Sequence, residues 1–531
     1  MHDRVRWGVE VEVSVVLGSG IEWMVERTVI GIDIGTQGTK AVLFGESGEC
    51  LAVATRKSRL YRPGGGIVEE DPEYQVRTVC QTIKACVKEA RIARESVVAV
   101  GIDGQMAGVI GIGKDGRNVT PYDSWLDSRC APYIARMRRQ AGKRVLRQTG
   151  CAPSFNHGPK VLWWKHEHPK VYRSTASFVQ PGGYAAMRLC GLDGRAAFID
   201  STYLHFSGFA DNRKGEWDDG LCRVFEVDRR KLPQIVPPAA IIGEVTPQMA
   251  RRCGLRSGTP VVAGCGDTAA SFLACGATRE GICVDVAGTA SVFAGTTRQF
   301  RADNHHLTLG CGRAATDGLW HPYAYVNGGG MNLEWFRREM VNHGHTAGEV
   351  TFEQLNQLAE QVSSPETAPL FIPHLGGCVC PSAAHLRGAW VGLDWSHGLG
   401  HLYRAVLEGV ALEYGIYRNI LVKLYPDLKL REIRVTGGGQ ESVLWNRIKS
   451  AVLEMPVVQT ARTEGAPMGT AMLAGFGAGL FKSLPGVASR WVQKGTRCKV
   501  PRKMAQIYRA RLGRYKQLLE LLNGYFDQRQ D

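Results

Sequence analysis

Asp33 stands on the lip of a glycine-rich turn, GIDIGTQGTK at residues 31–40, where three glycines, two threonines and a lysine surround one carboxylate. The outward N–H groups and hydroxyls of such a turn suit phosphate. An aspartate there would repel phosphate unless a cation lay between. Mg²⁺ takes a few carboxylate contacts, often through water, and fills its remaining positions with phosphate oxygens. The stretch therefore reads as a nucleoside-triphosphate site, with an ordinary hairpin between RTVIGIDI and TKAVLFG as the plain alternative. A second carboxylate, Asp267 in AGCGDTAAS, follows the apolar run TPVVAG on a Gly-Cys-Gly turn that would project it from a strand end. A turn aspartate bonded to its own backbone is the plain alternative there. In SWLDSR, Trp125, Asp127 and Arg129 alternate, so on an extended segment they share one face and could form a hydroxyl-binding wall or, equally, a structural ion pair with an aromatic neighbour.

These residues need elements to carry them, and the chain supplies the pattern twice. EGICVDVAGTASVFAG, from Glu280, repeats the plan of ERTVIGIDIGTQGTKAVLFG, from Glu26: a β-rich run, an aspartate, a glycine-threonine turn, a second β-rich run. Two such hairpins imply two copies of one domain, with a cleft in which both turns grip one polyphosphate. PEYQVRTVCQTIKACVKEARI has apolar residues at helical spacing after Asp71-Pro72, where proline can open a helix. LGHLYRAVLEGVALEYGIYRNIL reads as a long helix and REIRVTGGG as a strand ending in a glycine turn. Strands and helices alternate, which predicts α/β architecture.

Length and composition bound the rest. A chain of 531 residues predicts two large domains. Its 44% hydrophobic and 22% charged content are those of a globular protein, with no apolar run of membrane-spanning length and no basic-then-apolar leader. The expectation is a cytoplasmic protein with no membrane role. Fifteen cysteines lie scattered in apolar context and form no CxxC, which fits reduced core thiols. The net charge of +15 raises nucleic acid. Much of the excess sits in RWVQKGTRCKVPRKMAQIYRARLGRYKQ, read as a solvated helix face, so no nucleic-acid partner is expected. Residues 1–23 look foreign to the chain from Met24 onward and read as a loose extension or an overcalled start.

No GxxxxGK[ST] and no protein-kinase glycine loop is present. What the chain has, in order, is DIGTQGTK at 33, DGQMAG at 103, WLDSR at 125, KVLWW at 160, AGCGDTAAS at 263, DVAGTAS at 285, GGGMNLEWF at 328, GAWVGLDWSHGLGHLYRAVLEG at 388, TGGGQESVLWNRI at 436 and EGAPMGTAML at 464. This series resembles the FGGY carbohydrate kinases from residue 24 to the C-terminus, most specifically over Gly388–Glu408. The resemblance implies two ribonuclease H-like domains of the actin and sugar-kinase superfamily with a cleft between them: residues 24–277 binding sugar and 278–531 binding nucleotide. It implies an ATP-dependent kinase, with Mg²⁺, acting on a sugar, and a homodimer. Within the family the likeness is greatest to xylulokinases, so the expected acceptor is a ketopentose such as D-xylulose. Ribulose, ribitol or a glycerol-like polyol are the alternatives, and a non-catalytic actin-superfamily sugar sensor is the alternative of another class.

Carried over residue by residue, the resemblance makes Asp267 the catalytic aspartate. A carboxylate suffices, because the alcohol proton leaves late and the base mainly orients it. Gln105, Met106, Ala107, Trp125, Asp127 and Thr268 are expected at the sugar, although Met106 is otherwise a routine core filler. Thr36, Gln37 and Lys40 are expected on one side of the phosphates and Gly288 and Thr289 on the other. Gly330, Glu334, Gly438 and Gly439 are expected near the adenosine, glycine being needed where backbone closes on a flat ring. Asp33 holds the Mg²⁺ with its waters. Two positions depart from the pattern. Xylulokinases typically read GQMHG where this chain has Ala107, a loss worth about 1–3 kcal/mol if the partner hydroxyl were left buried and unpaired. His157 stands before KVLWW where a small residue or proline is usual.

Overall fold

The computed structural model describes residues 27–343, 349–362, 366–461 and 464–527. The extension at residues 1–23 lies outside them. Two mixed sheets organise these residues. The first runs, in spatial order, Ile241–Glu244, Pro260–Val262, Val97–Gly104, Thr28–Ile34, Gly38–Gly45 and Cys50–Lys57. The second runs Gly310–Arg313, Trp320–Val326, Ser291–Ala294, Ile282–Ala287, Glu432–Thr436, Val457–Thr460 and Lys494–Cys498. In each, the opening strand pairs antiparallel with its hairpin partner and parallel with a strand that returns after a long crossover. The repeated hairpin read in the sequence is thus the centre of a repeated sheet topology.

The helices follow their sequence signals. Pro72–Glu89 opens on proline, with the Asp71 carboxylate accepting the Glu73 N–H at 3.0 Å. Val76, Val79 and Ile83 on its inner face pack on the first sheet with Ile30, Ile32 and Leu43. Leu399–Leu424 covers the second sheet as a nearly continuously buried rod. The basic C-terminal stretch departs from the expected single helix face. Arg490 and Trp491 end a preceding helix, Lys494–Cys498 is an edge strand whose Lys494 and Arg497 both bond Glu432, and the helix Arg502–Asp527 follows.

Strand membership divides the chain between Val262 and Ile282, but the packing crosses that division. Ala466–Gly477 and Leu484–Trp491 come late in the chain yet share one apolar cluster with Val29, Val42 and Phe44 of the first sheet and with Ala269 and Leu273. A contiguous block 278–531 is therefore not spatially self-contained. The helix Ala466–Gly477 approaches so closely that a Cβ on Gly31 would lie 1.8 Å from the Pro467 carbonyl oxygen. Because the obstacle is backbone, Gly31→Ala must displace the helix, and overpacking of this kind costs about 1–3 kcal/mol or more. The expected result is a loss near the upper end of that range, read as a lower urea midpoint at unchanged slope.

Candidate active site

Asp33 and Lys40 are register partners across the first hairpin, and Asp33 pairs in register with Asp103 on the neighbouring parallel strand. A cleft of about 320 Å³ is lined by Asp33 and Lys40, by Asp267, Thr268 and Ser271, by Val286 and Val292 of the second hairpin, and by Glu464–Pro467. The two hairpins therefore face one another across a gap, with the carboxyl group of Asp267 in it.

The second hairpin differs from the first in one respect that the sequence echo concealed. Asp33 is two residues before its glycine turn, whereas Asp285 is three before Gly288. A one-residue offset on a strand reverses the face. The positions equivalent to Asp33 and Lys40 are Val286 and Val292, and Asp285 points into the core, where it takes hydrogen bonds from Tyr414 Oη at 2.7 Å and from Lys449 Nζ.

Two acids, Asp33 and Asp267, line the cleft, and a third, Asp103, lies fully buried beside Asp33. Burial first, and then the neighbouring Asp33, push Asp267 up to about 7, with the Thr268 hydroxyl and N–H partly offsetting the rise. Burial raises Asp33 to about 6, opposed by a hydrogen bond with Asp103 and by Lys40. Asp103, fully buried and taking a hydrogen bond from Thr470 Oγ1, is pushed well above the carboxylate range by burial and then by Asp33. Asp33 Oδ1 and Asp103 Oδ1 are both buried without a hydrogen donor. Among the described residues no three acids converge as a ready-made metal site, so a divalent cation here would rest on the hard oxygens of Asp33, with phosphate and water filling its other positions.

Beside the cleft a chain of hydrogen bonds runs through the expected sugar residues. Trp125 Nε1 donates to Thr36 Oγ1 at 2.9 Å, Thr36 Oγ1 to Gln105 Oε1 at 3.4 Å, and Gln105 Nε2 to Glu70 Oε1 at 3.0 Å. Thr36, expected at the phosphates, has its hydroxyl folded toward Trp125 and Gln105. Gln37 sits exposed on the same turn, its carbonyl bonded to Ser58 N. Asp127, expected at the sugar, is bonded within its own loop. Its oxygens accept the Val68 N–H at 2.7 Å and the Arg129 N–H and Nε at 3.0 Å, so the carboxylate is spent within its loop. The ion-pair alternative describes this stretch: Arg129 also reaches Glu69 at 2.7 Å and lies over Trp163, with its guanidinium carbon 4.5 Å from the ring centre. Met106 packs against Gly266 and joins an apolar cluster, combining core and wall. Ala107 is half-buried beside it.

On the other side, Gly288 and Thr289 are clasped to the helix Gly329–Trp335. Their carbonyls accept the N–H groups of Gly330 and Met331 at 3.0 Å. Gly437, at φ +86°, lies so close that a Cβ would meet the Ala287 carbonyl at 2.7 Å, and nothing approaches within 4 Å of a Cβ built on Gly438. Gly288, Gly330, Gly438 and Gly439 thus gather at one end of the second sheet. Glu334 pairs with Arg337 at 2.9 Å one turn further on.

The sequence reading gave no role to Glu70, Asp103, Thr470 or Glu464, although Asp103 opens DGQMAG and Glu464 and Thr470 lie in EGAPMGTAML. His157 was visible only as a departure. Burial lowers it to about 4, so it is neutral, and its Nε2–H donates to the Met106 carbonyl at 2.5 Å, beside the position where a histidine is replaced by Ala107. Lys160, fully buried, holds the loop that carries Trp125 by bonding Asp123 Oδ1 at 2.6 Å, Ser124 O at 2.8 Å and Asp127 O at 3.0 Å.

Comparison with known proteins agrees with this geometry. Residues 28–274 match the N-terminal domain, and residues 283–478 the C-terminal domain, of the FGGY family of carbohydrate kinases. A xylulose kinase of Bacillus subtilis (strain 168) is 25% identical over 93% of this chain and 96% of its own length. A gluconokinase of the same organism is 27% identical over 86% of this chain and 89% of its own length. The crystal structure of xylulose kinase from Rhodospirillum rubrum superimposes with a TM-score of 0.85 at 26% identity, covering 94% of this chain and all of that one. Among the described residues no helix is long and apolar enough to cross a membrane. The chain belongs to the FGGY family of carbohydrate kinases and is a phosphotransferase with an alcohol group as acceptor.

Proposed function

We propose that the chain transfers the γ-phosphoryl group of ATP to a hydroxyl of a ketopentose such as D-xylulose, in the cytoplasm. The observation that carries this reading is the cleft in which Asp267 and Thr268 meet Asp33 and Lys40 from one hairpin and the flank of the other. Phosphoryl transfer asks the protein for positioning and charge stabilisation more than for covalent chemistry. Asp267 accepts the proton of the attacking hydroxyl, and its elevated affinity for protons suits a base working near neutral pH. Lys40 faces the transferred phosphate as a cation, and Gly288, Thr289, Gly330, Gly438 and Gly439 leave room for the nucleotide. Asp33 would hold Mg²⁺, whose contribution when bound is to neutralise charge on the phosphates. Gln105, Trp125 and Thr36, fixed by Glu70, form the wall that orients the sugar.

The electrostatics of that wall favour a neutral acceptor. An aldonate would want a cation free to meet its carboxylate. The cations supporting this wall, Lys160 and Arg129, are held by Asp123 and by Glu69 and Asp127. A coupled kinase assay over D-xylulose, ribulose, ribitol, glycerol and gluconate tests the reading. The expected result is the highest kcat/KM on a ketopentose. Preference for gluconate would overturn the acceptor class, and ATP turnover indifferent to every sugar would overturn sugar phosphorylation itself.

A further inference from the structure

Two loops must keep a fixed separation for the proposed chemistry: Gly104–Ala107, carrying Gln105 to the sugar, and Gly264–Thr268, carrying the base. Where strands Val97–Gly104 and Pro260–Val262 end, the sheet offers them a single bridge, Gly104 to Gly266. Gly266 caps the helix Asp267–Ala274 and has no side chain with which to fix that cap.

The link is supplied from a third segment, the turn Ser201–Phe206 that follows the strand Phe198–Asp200. Tyr203 Oη lies 3.0 Å from the Gly104 carbonyl and 3.3 Å from the Cys265 carbonyl, and so bridges the residue before Gln105 to the residue two before Asp267. Thr202 Oγ1 accepts the Gly266 N–H at 2.9 Å and donates to Asp200 Oδ1 at 2.6 Å. Asp200 Oδ1 also accepts the Thr202 N–H at 2.9 Å, which fixes the rotamer that aims the hydroxyl. Asp200, Thr202 and Tyr203 are 3%, 1% and 2% exposed, so water has no ready access to replace any of these bonds.

We infer that Thr202 and Tyr203 are positioning residues that hold the base loop and the sugar loop in register. The inference rests on the kinase reading above. Neither side chain has to touch substrate. Each acts through backbone that carries a reacting or orienting group, and a displacement of about 1 Å at such a group is enough to cost on the order of 100-fold in rate.

Thr202→Val keeps the shape and removes the hydroxyl, Thr202→Ser restores it, and Tyr203→Phe removes only Oη. Initial rates with ATP and the acceptor found in the sugar panel, together with ATP affinity by calorimetry, separate the roles. The expected result is a fall of about 10- to 100-fold in kcat for Thr202→Val and Tyr203→Phe, unchanged ATP affinity, and recovery in Thr202→Ser. A merely structural role predicts lower melting temperatures with kcat within roughly twofold of the parent at 25 °C, and that outcome overturns the inference. If Thr202→Val does not fold, Tyr203→Phe decides alone, because its ring keeps the core filled. Asp267→Asn, assayed alongside, separates the two levels. Full activity there moves the base off Asp267 and with it the ground for holding these two loops in register, whereas its loss with unaffected Thr202 and Tyr203 variants sinks only the positioning role.

Discussion

Asp267→Asn is expected to lower sugar phosphorylation by about 10²–10⁴-fold while leaving ATP affinity nearly unchanged. Asparagine keeps the size and the acceptor oxygen that Thr268 bonds but cannot take up the proton of the attacking hydroxyl. The same substitution carries a second expectation of opposite sign. Burial and the neighbouring Asp33 raise Asp267 from 3.8 to about 7. The folded chain therefore holds a proton through that interval which the unfolded chain releases. For a raised carboxyl the stabilising contribution is present below the unfolded value and is lost as pH rises through the folded one, here from about pH 4 to pH 7. An asparagine never ionises, so above pH 7 the variant should be more stable than the parent, and the difference should vanish toward pH 4. Urea unfolding at pH 5 and pH 8, run beside the kinase assay, checks both. Retained turnover moves the base elsewhere, and lost turnover without a gain at pH 8 removes the buried-charge account of the site. Stability given up at a catalytic group is a common trade in enzymes.

Lys449→Met should be the most destabilising single change away from the cleft, at about 3–5 kcal/mol. Lys449 and Asp285 are each about 1% exposed at the side chain, and Lys449 Nζ also sits 3.6 Å from the centre of the Trp445 ring. Burial pulls the lysine down and Asp285 pulls it back up, the balance expected of a charge kept only by its partner. Removing Lys449 leaves Asp285 with the Tyr414 hydroxyl as its remaining donor, whereas Lys449→Met with Asp285→Asn removes both charges and should recover much of the loss. Denaturant midpoints of the two single variants and the double variant form the cycle. Were Asp285 facing the cleft as Asp33 does, Lys449→Met would cost little stability and would change ATP binding instead.

These two carboxylates mark the boundary between what the sequence decided and what it left open. The sequence determined the fold class, the repeated hairpins, the capped helix at Pro72 and the long helix at Leu399, because period, punctuation and capping are local properties of the chain. It also singled out Asp33 and Asp267, because each sits on a glycine turn within an ordered series of motifs. Only the tertiary structure decided which of two aspartates in matching hairpins faces the cleft. Asp33 and Asp285 look equivalent as letters, but the extra residue before Gly288 turns Asp285 into the core, where Tyr414 and Lys449 wait on distant elements. The bonding of Asp127 was hidden for the same kind of reason. Its partners, Val68 and the neighbouring Arg129, are brought together by a loop that no periodicity describes. The late helix Ala466–Gly477 folds back onto the first sheet because its Pro467 and Gly469 fit where Gly31 and Ala270 leave space, a complementarity that only contact in three dimensions expresses.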